Sequence, residues 1–387
     1  MQKTISLSYI ELSKQNLIHN IKVFKNLAKN GTKFSVVIKG NAYGHGQNEV
    51  AKILEPYADY FQVDNFSELE LLRKVSTKKI FVLGYIQKFD LKNAIKLGCV
   101  LSISSIEQLK EINKTAQKIK IKPSAIVRWA RQEVQISFDA YLGREGFLLN
   151  ELPKLFKEIR KCKFIKLSGI YAHFANIEDT TDFSHAQKQI KEYERALKLL
   201  FEFGFKNLQT HISATSGLLA YEKSNGIHPL IRLGIGVYGL WPSENLKLLY
   251  KNKIELKPVL SWKTKIVQIK ILPKGRTVGY GLTYRTKKET KIAIIPQGYA
   301  DGFDRSFSNN GFVLIGGTRC KILGRVMMNM FVVDVGHLKK VKSEDEVIIL
   351  GRQDKEEISA EEMAERINTI NYEITTRISS LLPKIVV

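Results

Sequence analysis

Lys33-Phe34-Ser35-Val36-Val37-Ile38-Lys39-Gly40-Asn41-Ala42-Tyr43-Gly44-His45-Gly46 is the stretch on which the reading of the fold turns. Its first half runs from Phe34 to Ile38 with only Ser35 to interrupt the apolar side chains. A strand buried on both faces has this pattern, whereas a strand with one wet face would alternate. The run stops at Lys39, and Gly40, Gly44 and Gly46 follow, so the strand leads into a loop whose backbone can approach a ligand closely. The same beat returns down the chain, with strands expected at 60–63, 79–84, 99–104, 124–129, 167–174, 208–213 and 231–239. Amphipathic stretches separate them, for example FSELELLRKV from Phe66 and SIEQLKEINKTAQKI from Ser105, where Ser104 or Ser105 is an N-cap. Eight such strands predict an α/β chain built on a (β/α)8 TIM barrel, with functional groups at the C-terminal strand ends. A doubly wound open sheet is the rival topology for the same beat.

Past residue 244 the pattern changes to short β-type runs such as PVLSWKTKIVQIKIL, TKIAIIPQ, GFVLIGG, MFVVDV and DEVIILG, separated by Gly, Pro and Asn. Residues 13–243 are therefore expected to form the barrel and 244–387 a mainly β C-terminal domain, with residues 1–12 adding an outer strand to it. One late helix is marked by Ser359 with Glu362 three residues on, the capping-box spacing.

At 387 residues, 44% hydrophobic and 26% charged, the chain has the composition of a packed multidomain protein. No apolar run approaches the ~18 residues a membrane helix needs, and Glu11 and Lys14 break the N-terminus before a signal-peptide core develops, so a cytoplasmic protein is expected. Cys99, Cys162 and Cys320 are isolated, which indicates neither a disulfide framework nor a zinc site. The net charge of +23 raises nucleic acid as a partner. Its lysines are scattered along helical faces and form no basic tail, so neither nucleic acid nor membrane is expected as a partner. Such a charge can still draw small anions toward a site.

Four strand ends carry chemistry. Lys39 follows the first apolar run; a desolvated amine there is nucleophilic, while the plainer alternative is a lysine snorkelling to water. His173 closes the sixth expected strand and can stack on a planar group or serve as a structural hydrogen-bonder. Thr215 and Ser216 follow the seventh, and Arg232 lies on the eighth before Gly234-Ile235-Gly236. Hydroxyls and amides at glycine turns after strands seven and eight are where such barrels bind phosphate; tight packing is the alternative use of those glycines.

Taken together and in order, these motifs resemble the alanine racemases. The resemblance rests on Val37-Ile38-Lys39-Gly40-Asn41-Ala42-Tyr43-Gly44-His45-Gly46, Gly169-Ile170-Tyr171-Ala172-His173-Phe174, Arg232-Leu233-Gly234-Ile235, Val278-Gly279-Tyr280-Gly281, Gly298-Tyr299-Ala300-Asp301-Gly302 and Thr369-Ile370-Asn371-Tyr372-Glu373. It implies pyridoxal 5'-phosphate held by Lys39 as an aldimine, with Tyr280 of a partner subunit as the second base. Two bases make chemical sense, since racemisation removes a proton from one face of a carbon and returns it on the other. By the same resemblance Arg232 faces the pyridine nitrogen and His173 lies against the ring. Tyr43, Thr215, the amides of Gly234 and Ile235, and Tyr372 hold the phosphate. Arg144 and the Met328 N–H address the substrate carboxylate, and Tyr299 joins Tyr280 in lining the substrate pocket. The implied protein is a homodimer with active sites shared between subunits, converting L-alanine to D-alanine for peptidoglycan.

The chain departs from that family at two places. Ser137 stands seven residues before Arg144, where the family usually carries a lysine, often carbamylated, and Asp139-Ala140-Tyr141-Leu142 replaces the usual Asp-Thr-Gly-Met. Asn329 stands where an acid is usual. Both changes remove negative charge near the substrate, so the expectation is a less firmly oriented Arg144, a response to chloride, and serine as the first alternative substrate. The competing readings are a racemase of broader specificity or for a basic amino acid, a decarboxylase of the same fold, and a cofactor carrier without turnover.

Overall fold

The computed structural model describes residues 6–119, 131–179, 181–222 and 228–387. These fall into two compact units. One comprises Leu17–Gly40 and Val50–Lys257; the other comprises the described residues up to Asn16, Asn41–Glu49 and Pro258–Val387.

The first unit is a parallel barrel. Its strands are Lys33–Val37, Tyr60–Val63, Lys79–Val82, Cys99–Ile103, Gln132–Ser137, Ile165–Tyr171, Gln209–His211 and Leu230–Leu233, each paired with its chain neighbour from the first to the seventh. The eighth returns to the first, Lys33–Val36 lying beside Leu230–Leu233. That pairing distinguishes a barrel from a doubly wound sheet. The seam between the seventh and eighth strands is bridged by the Arg232 N–H, which donates to the Ser213 carbonyl at 3.1 Å.

Helices cover the outside for the reason their spacing suggests. In Leu152–Lys161 the buried residues are Leu152, Leu155, Phe156 and Ile159, one stripe at helical intervals, and Pro153 sits in the first turn where a missing N–H costs nothing. Each such side chain removed from water contributes about 1.5–3 kcal/mol.

The fifth strand is where the sequence reading and the structure part. The expected run at 124–129 lies outside the described residues; the strand between the fourth and sixth is Gln132–Ser137. All six of its residues are buried although three are Gln, Glu and Gln. Glu133 accepts from Lys79 at 2.6 Å and Lys166 at 3.3 Å, and Gln135 meets His211 at 2.7 Å. A barrel interior that satisfies its polar groups internally can use a polar strand, and a search for apolar runs passes over it.

The second unit is mainly β. Its larger sheet runs Thr318–Lys321, Phe312–Ile315, Glu346–Gln353, Leu260–Lys265, Tyr9–Leu12 and Lys384–Val386, with Glu356–Ile358 beside Glu346–Gln353. Leu260–Lys265 alternates, turning Leu260, Trp262 and Thr264 inward, as a sheet with one wet face does. Tyr9–Leu12 pairs antiparallel with it. Gln268–Leu272, Thr290–Ile295 and Phe331–Asp334 make a second sheet. Phe303 fills the core here, stacked between Phe307 at 4.8 Å and Phe331 at 4.7 Å. All three cysteines are buried and free. No helix among the described residues is long and apolar enough to cross a membrane.

Candidate active site

The barrel brings several of the expected residues to the C-terminal end of its strands. Lys39 lies just beyond the first strand, and Arg232 is on the eighth, the strand paired with it. The Lys39 ammonium is not desolvated: its side chain is 41% exposed and its Nζ lies 3.1 Å from Asp64 Oδ1. Asp64 follows the second strand, and its N–H donates to Glu68 Oε2 at 2.7 Å, while Glu68 Oε1 accepts from the Gly40 N–H at 2.7 Å. Glu68 thus fixes the backbone on both sides of the ion pair.

The chain leaves Lys39 through an uncommon conformation. Gly40, Asn41, Ala42 and Tyr43 have φ between +53° and +59°, a left-handed turn. For residues other than glycine this conformation costs roughly 1–2 kcal/mol each. Local bonds hold it. The Gly46 N–H donates to the Asn41 carbonyl at 2.9 Å, the Gln47 N–H to Asn41 Oδ1 at 3.0 Å, and His45 Nδ1 lies 3.0 Å from the Tyr43 carbonyl. Burial pushes the His45 pKa down to about 4, so the ring is neutral and Nδ1 carries the donated proton. Within the second unit, a Cβ on Gly44 would fall 1.9 Å from the Thr375 carbonyl oxygen, so only glycine admits this approach. It sets Tyr43 beside Tyr372, ring centroids 5.9 Å apart.

Arg232 is buried at the barrel mouth. Its Nη2 donates to the Ala172 carbonyl at 2.8 Å and the Ile212 carbonyl at 3.0 Å. Nη1 meets His211 Nδ1 at 2.5 Å and Nη2 meets His173 Nδ1 at 3.1 Å. A guanidinium only donates, so both imidazoles present a bare Nδ1; His211 then carries its proton on Nε2, which meets Gln135 Oε1. The electrostatics agree. Burial, then the Arg232, Arg144 and Lys39 charges, lower the His173 pKa to about 3, and burial with Arg232 takes His211 well below its usual value. Burial also lowers Arg232 itself to about 10, still far enough above neutrality to keep it charged.

Nearby, Thr215 Oγ1 accepts from the Gly234 N–H at 3.2 Å and the Gly236 N–H at 3.4 Å. A Cβ on Gly236 would lie 2.6 Å from Thr215 Cγ2 and 2.5 Å from Phe24 Cζ, so the turn closes around the hydroxyl as a cradle of amides. A phosphate-bearing planar cofactor fits this set: a cationic donor for a ring nitrogen, an amine at the strand end, and a hydroxyl within a glycine turn. Ser137 is buried at the end of the fifth strand, its hydroxyl donating to the Glu145 carbonyl at 3.2 Å. Arg144 and Glu145 sit at the tip of the loop that follows.

The remaining expected residues belong to the second unit. Tyr280 is 72% exposed on a turn between Gly279 and Gly281, both at positive φ. Gly281 lies against the Arg325 side chain, a Cβ there falling 2.9 Å from its Nε. Tyr299 and Ala300 donate to the carbonyls of Met327 and Met328 at 3.1 and 2.9 Å. A Cβ on Gly298 would strike those same carbonyls, which seats the Met327-Met328 segment on the 298–300 turn. Tyr280, Leu282, Tyr299, Met328 and Met330 are all exposed.

Four histidines, His45, His173, His211 and His228, are depressed chiefly by burial, His228 to about 4. Each is neutral when folded yet titrates near 6.5 when unfolded. The unfolded chain therefore binds more protons below that value, and the associated stability is present above about pH 6.5 and lost as the pH falls toward 4. The melting temperature is expected to drop steeply between pH 7 and pH 5, with unfolding near pH 5 taking up on the order of four protons, one for each ring. A flat melting temperature over that interval would contradict the neutral assignments.

Comparison with known proteins gives the family. Residues 12–242 match the family model "Alanine racemase, N-terminal domain" and residues 259–386 match "Alanine racemase, C-terminal domain". Matched along both domains, the chain falls among the pyridoxal-phosphate-dependent racemases, and pyridoxal phosphate is the cofactor of the class. Within it, the chain belongs to the alanine racemase family. It is 34% identical to an alanine racemase of Leptospira interrogans over 100% of this chain and 97% of the relative. Alanine racemase 2 of Bacillus subtilis is 35% identical, with 97% of this chain and 93% of the relative covered. Among solved structures, the alanine racemase of Bacillus anthracis with bound L-Ala-P superposes with a TM-score of 0.90 at 33% identity, covering 100% of this chain and 96% of that one. A histidine racemase from Leuconostoc mesenteroides superposes with a TM-score of 0.87 at 25% identity, covering 100% and 99%.

Proposed function

We propose that this chain interconverts L-alanine and D-alanine as a cytoplasmic homodimer, supplying D-alanine for peptidoglycan, with Lys39 and the partner subunit's Tyr280 as its two bases. The observation that carries the reading is the family match along both parts of the chain, joined to Lys39 and Arg232 at one end of two paired barrel strands. Bound pyridoxal phosphate supplies an electron-accepting ring that acidifies the α-C–H of the amino acid it holds. Lys39 Nζ moves the proton on one face, and the phenol of the partner subunit's Tyr280 moves it on the other. Arg232 presents a charged donor to the ring nitrogen without releasing its own proton, which limits how far the ring accepts electrons and so disfavours side reactions. Thr215 and the Gly234 and Ile235 amides serve the phosphate, with Tyr43 and Tyr372 assigned to it on the family resemblance, and His173 is assigned a place against the ring. Arg144 and the Met328 N–H are assigned to the substrate carboxylate, and Tyr280, Tyr299 and Tyr372 to the small side-chain pocket. The exposed apolar turn around Tyr280 supports a second copy as its cover.

A second reading, a racemase for another amino acid, is favoured by the likeness to a histidine racemase and by Asn329 in place of an acid. Incubation of the cofactor-loaded protein with L-alanine in deuterated water separates the possibilities. Recovery of both enantiomers with deuterium at the α-carbon is expected, and kcat/KM for alanine should exceed that for serine, lysine and histidine. A tenfold preference for any of these would overturn alanine as the substrate while keeping the racemase chemistry. An amine product would point to decarboxylation, and no α-exchange with any amino acid would remove the racemase reading.

A further inference from the structure

We propose that Glu145 is the anion that positions Arg144 for the substrate carboxylate, taking over at the loop tip the charge that Ser137 cannot supply from the strand. The inference rests on the reading above that Arg144 meets that carboxylate. Arg144 Nε lies 2.8 Å from Glu145 Oε2. Pairing through Nε leaves the two terminal Nη groups pointing outward together, the edge of the guanidinium that receives a carboxylate in a bidentate manner. Glu145 thereby restricts the rotation of the fork without occupying its receiving edge.

The backbone around the pair is built to hold it. Ser137 donates its hydroxyl to the carbonyl of Glu145 itself, at 3.2 Å. Below the tip, the Asp139 N–H donates to the Phe147 carbonyl at 3.0 Å and the Phe147 N–H to the Ser137 carbonyl at 2.9 Å, which closes the neck of the loop. Asp139 Oδ1 accepts from the Leu142 and Gly143 N–H groups at 2.8 and 3.0 Å. A Cβ on Gly146 would fall 2.7 Å from the Asp139 nitrogen, so glycine is needed where the chain re-enters the neck. The small serine is therefore a backbone clamp for the residue that carries the charge. Both charges also act on the barrel mouth: Arg144 is among those lowering His173, and Glu145 among those raising the Tyr171 phenol.

The two side chains are 54% and 43% exposed, so the pair adds little to folding stability, and its effect belongs to substrate binding. Glu145→Gln should raise KM for alanine about fivefold, the upper end for an exposed ion pair, with kcat changed less and the melting temperature unmoved. Chloride or formate, varied at constant ionic strength, should lower KM of the Glu145→Gln enzyme and leave wild type nearly unaffected; Glu145→Asp should fall between. An unchanged KM in Glu145→Gln, a lower one, or a raised KM that no small anion restores would each overturn the proposal. Arg144→Lys separates this from the reading beneath it. If Arg144→Lys raises KM and Glu145→Gln does not, only the role of Glu145 fails. If neither raises it, Arg144 does not meet the carboxylate and both fall.

Discussion

Lys39→Ala should leave the protein folded and without measurable turnover. In the proposed function Lys39 carries both the covalent hold on the cofactor and one of the two proton transfers, and loss of a positioned base alone costs typically ~10²–10⁴-fold. The fold should tolerate the change because Lys39 lies outside the apolar run and its one charged partner, Asp64, is 49% exposed. Borohydride reduction of the wild-type holoenzyme, followed by peptide mapping, should find the cofactor on the peptide that contains Lys39. Attachment elsewhere would overturn the assignment. Asp64→Asn offers a finer test of the ion pair. With the counter-ion gone, the amine loses its ion pair, and the rate at which added cofactor attaches to Lys39 should change while the fold is kept; an unchanged rate would show that Asp64 plays no part.

Tyr280, proposed above as the second base and supplied by a partner subunit, is the other large effect. Tyr280→Ala should reduce kcat by about 10²–10⁴-fold while the cofactor stays bound, since the phenol lies on the second unit's exposed turn and not in the barrel. Tyr280→Phe should change the α-deuterium isotope effect unequally in the two directions, because only one enantiomer gives its proton to this face. Mixing Lys39→Ala with Tyr280→Ala chains then asks whether sites are shared. Random exchange makes half of the dimers mixed, and each mixed dimer has one intact site of two, so about a quarter of wild-type activity should return. No return after verified exchange would place both residues on one chain.

Much of the barrel was legible because its strands are buried on both faces and read as continuous apolar runs; Phe34 to Ile38 is the clearest. Gln132–Ser137 was not, since Glu133 is satisfied by Lys79 and Lys166 and Gln135 by His211, all from other strands, partners that no local window contains. Lys39 and Arg232 stood out through the motifs around them. Asp64 and Glu68, which hold Lys39, lie on the next βα connection and carry no signal of their own. Against the expectation that Arg144 lacks an orienting anion, Glu145 directly after it is the residue proposed above for that role, its Oε2 2.8 Å from Arg144 Nε. An acid beside the arginine, in a chain without the usual lysine, was the available clue.

The closed neck of the 137–147 loop separates inheritance of the barrel from inheritance of the side chains its tip presents. The Asp139 N–H bonds the Phe147 carbonyl and the Phe147 N–H bonds the Ser137 carbonyl, so the neck is held by backbone and the exposed side chains of the tip can change without altering a strand register. On the proposed roles, a barrel of this kind can thus vary how firmly its loop tip holds the carboxylate that all amino acids share, while its strands pass on unaltered.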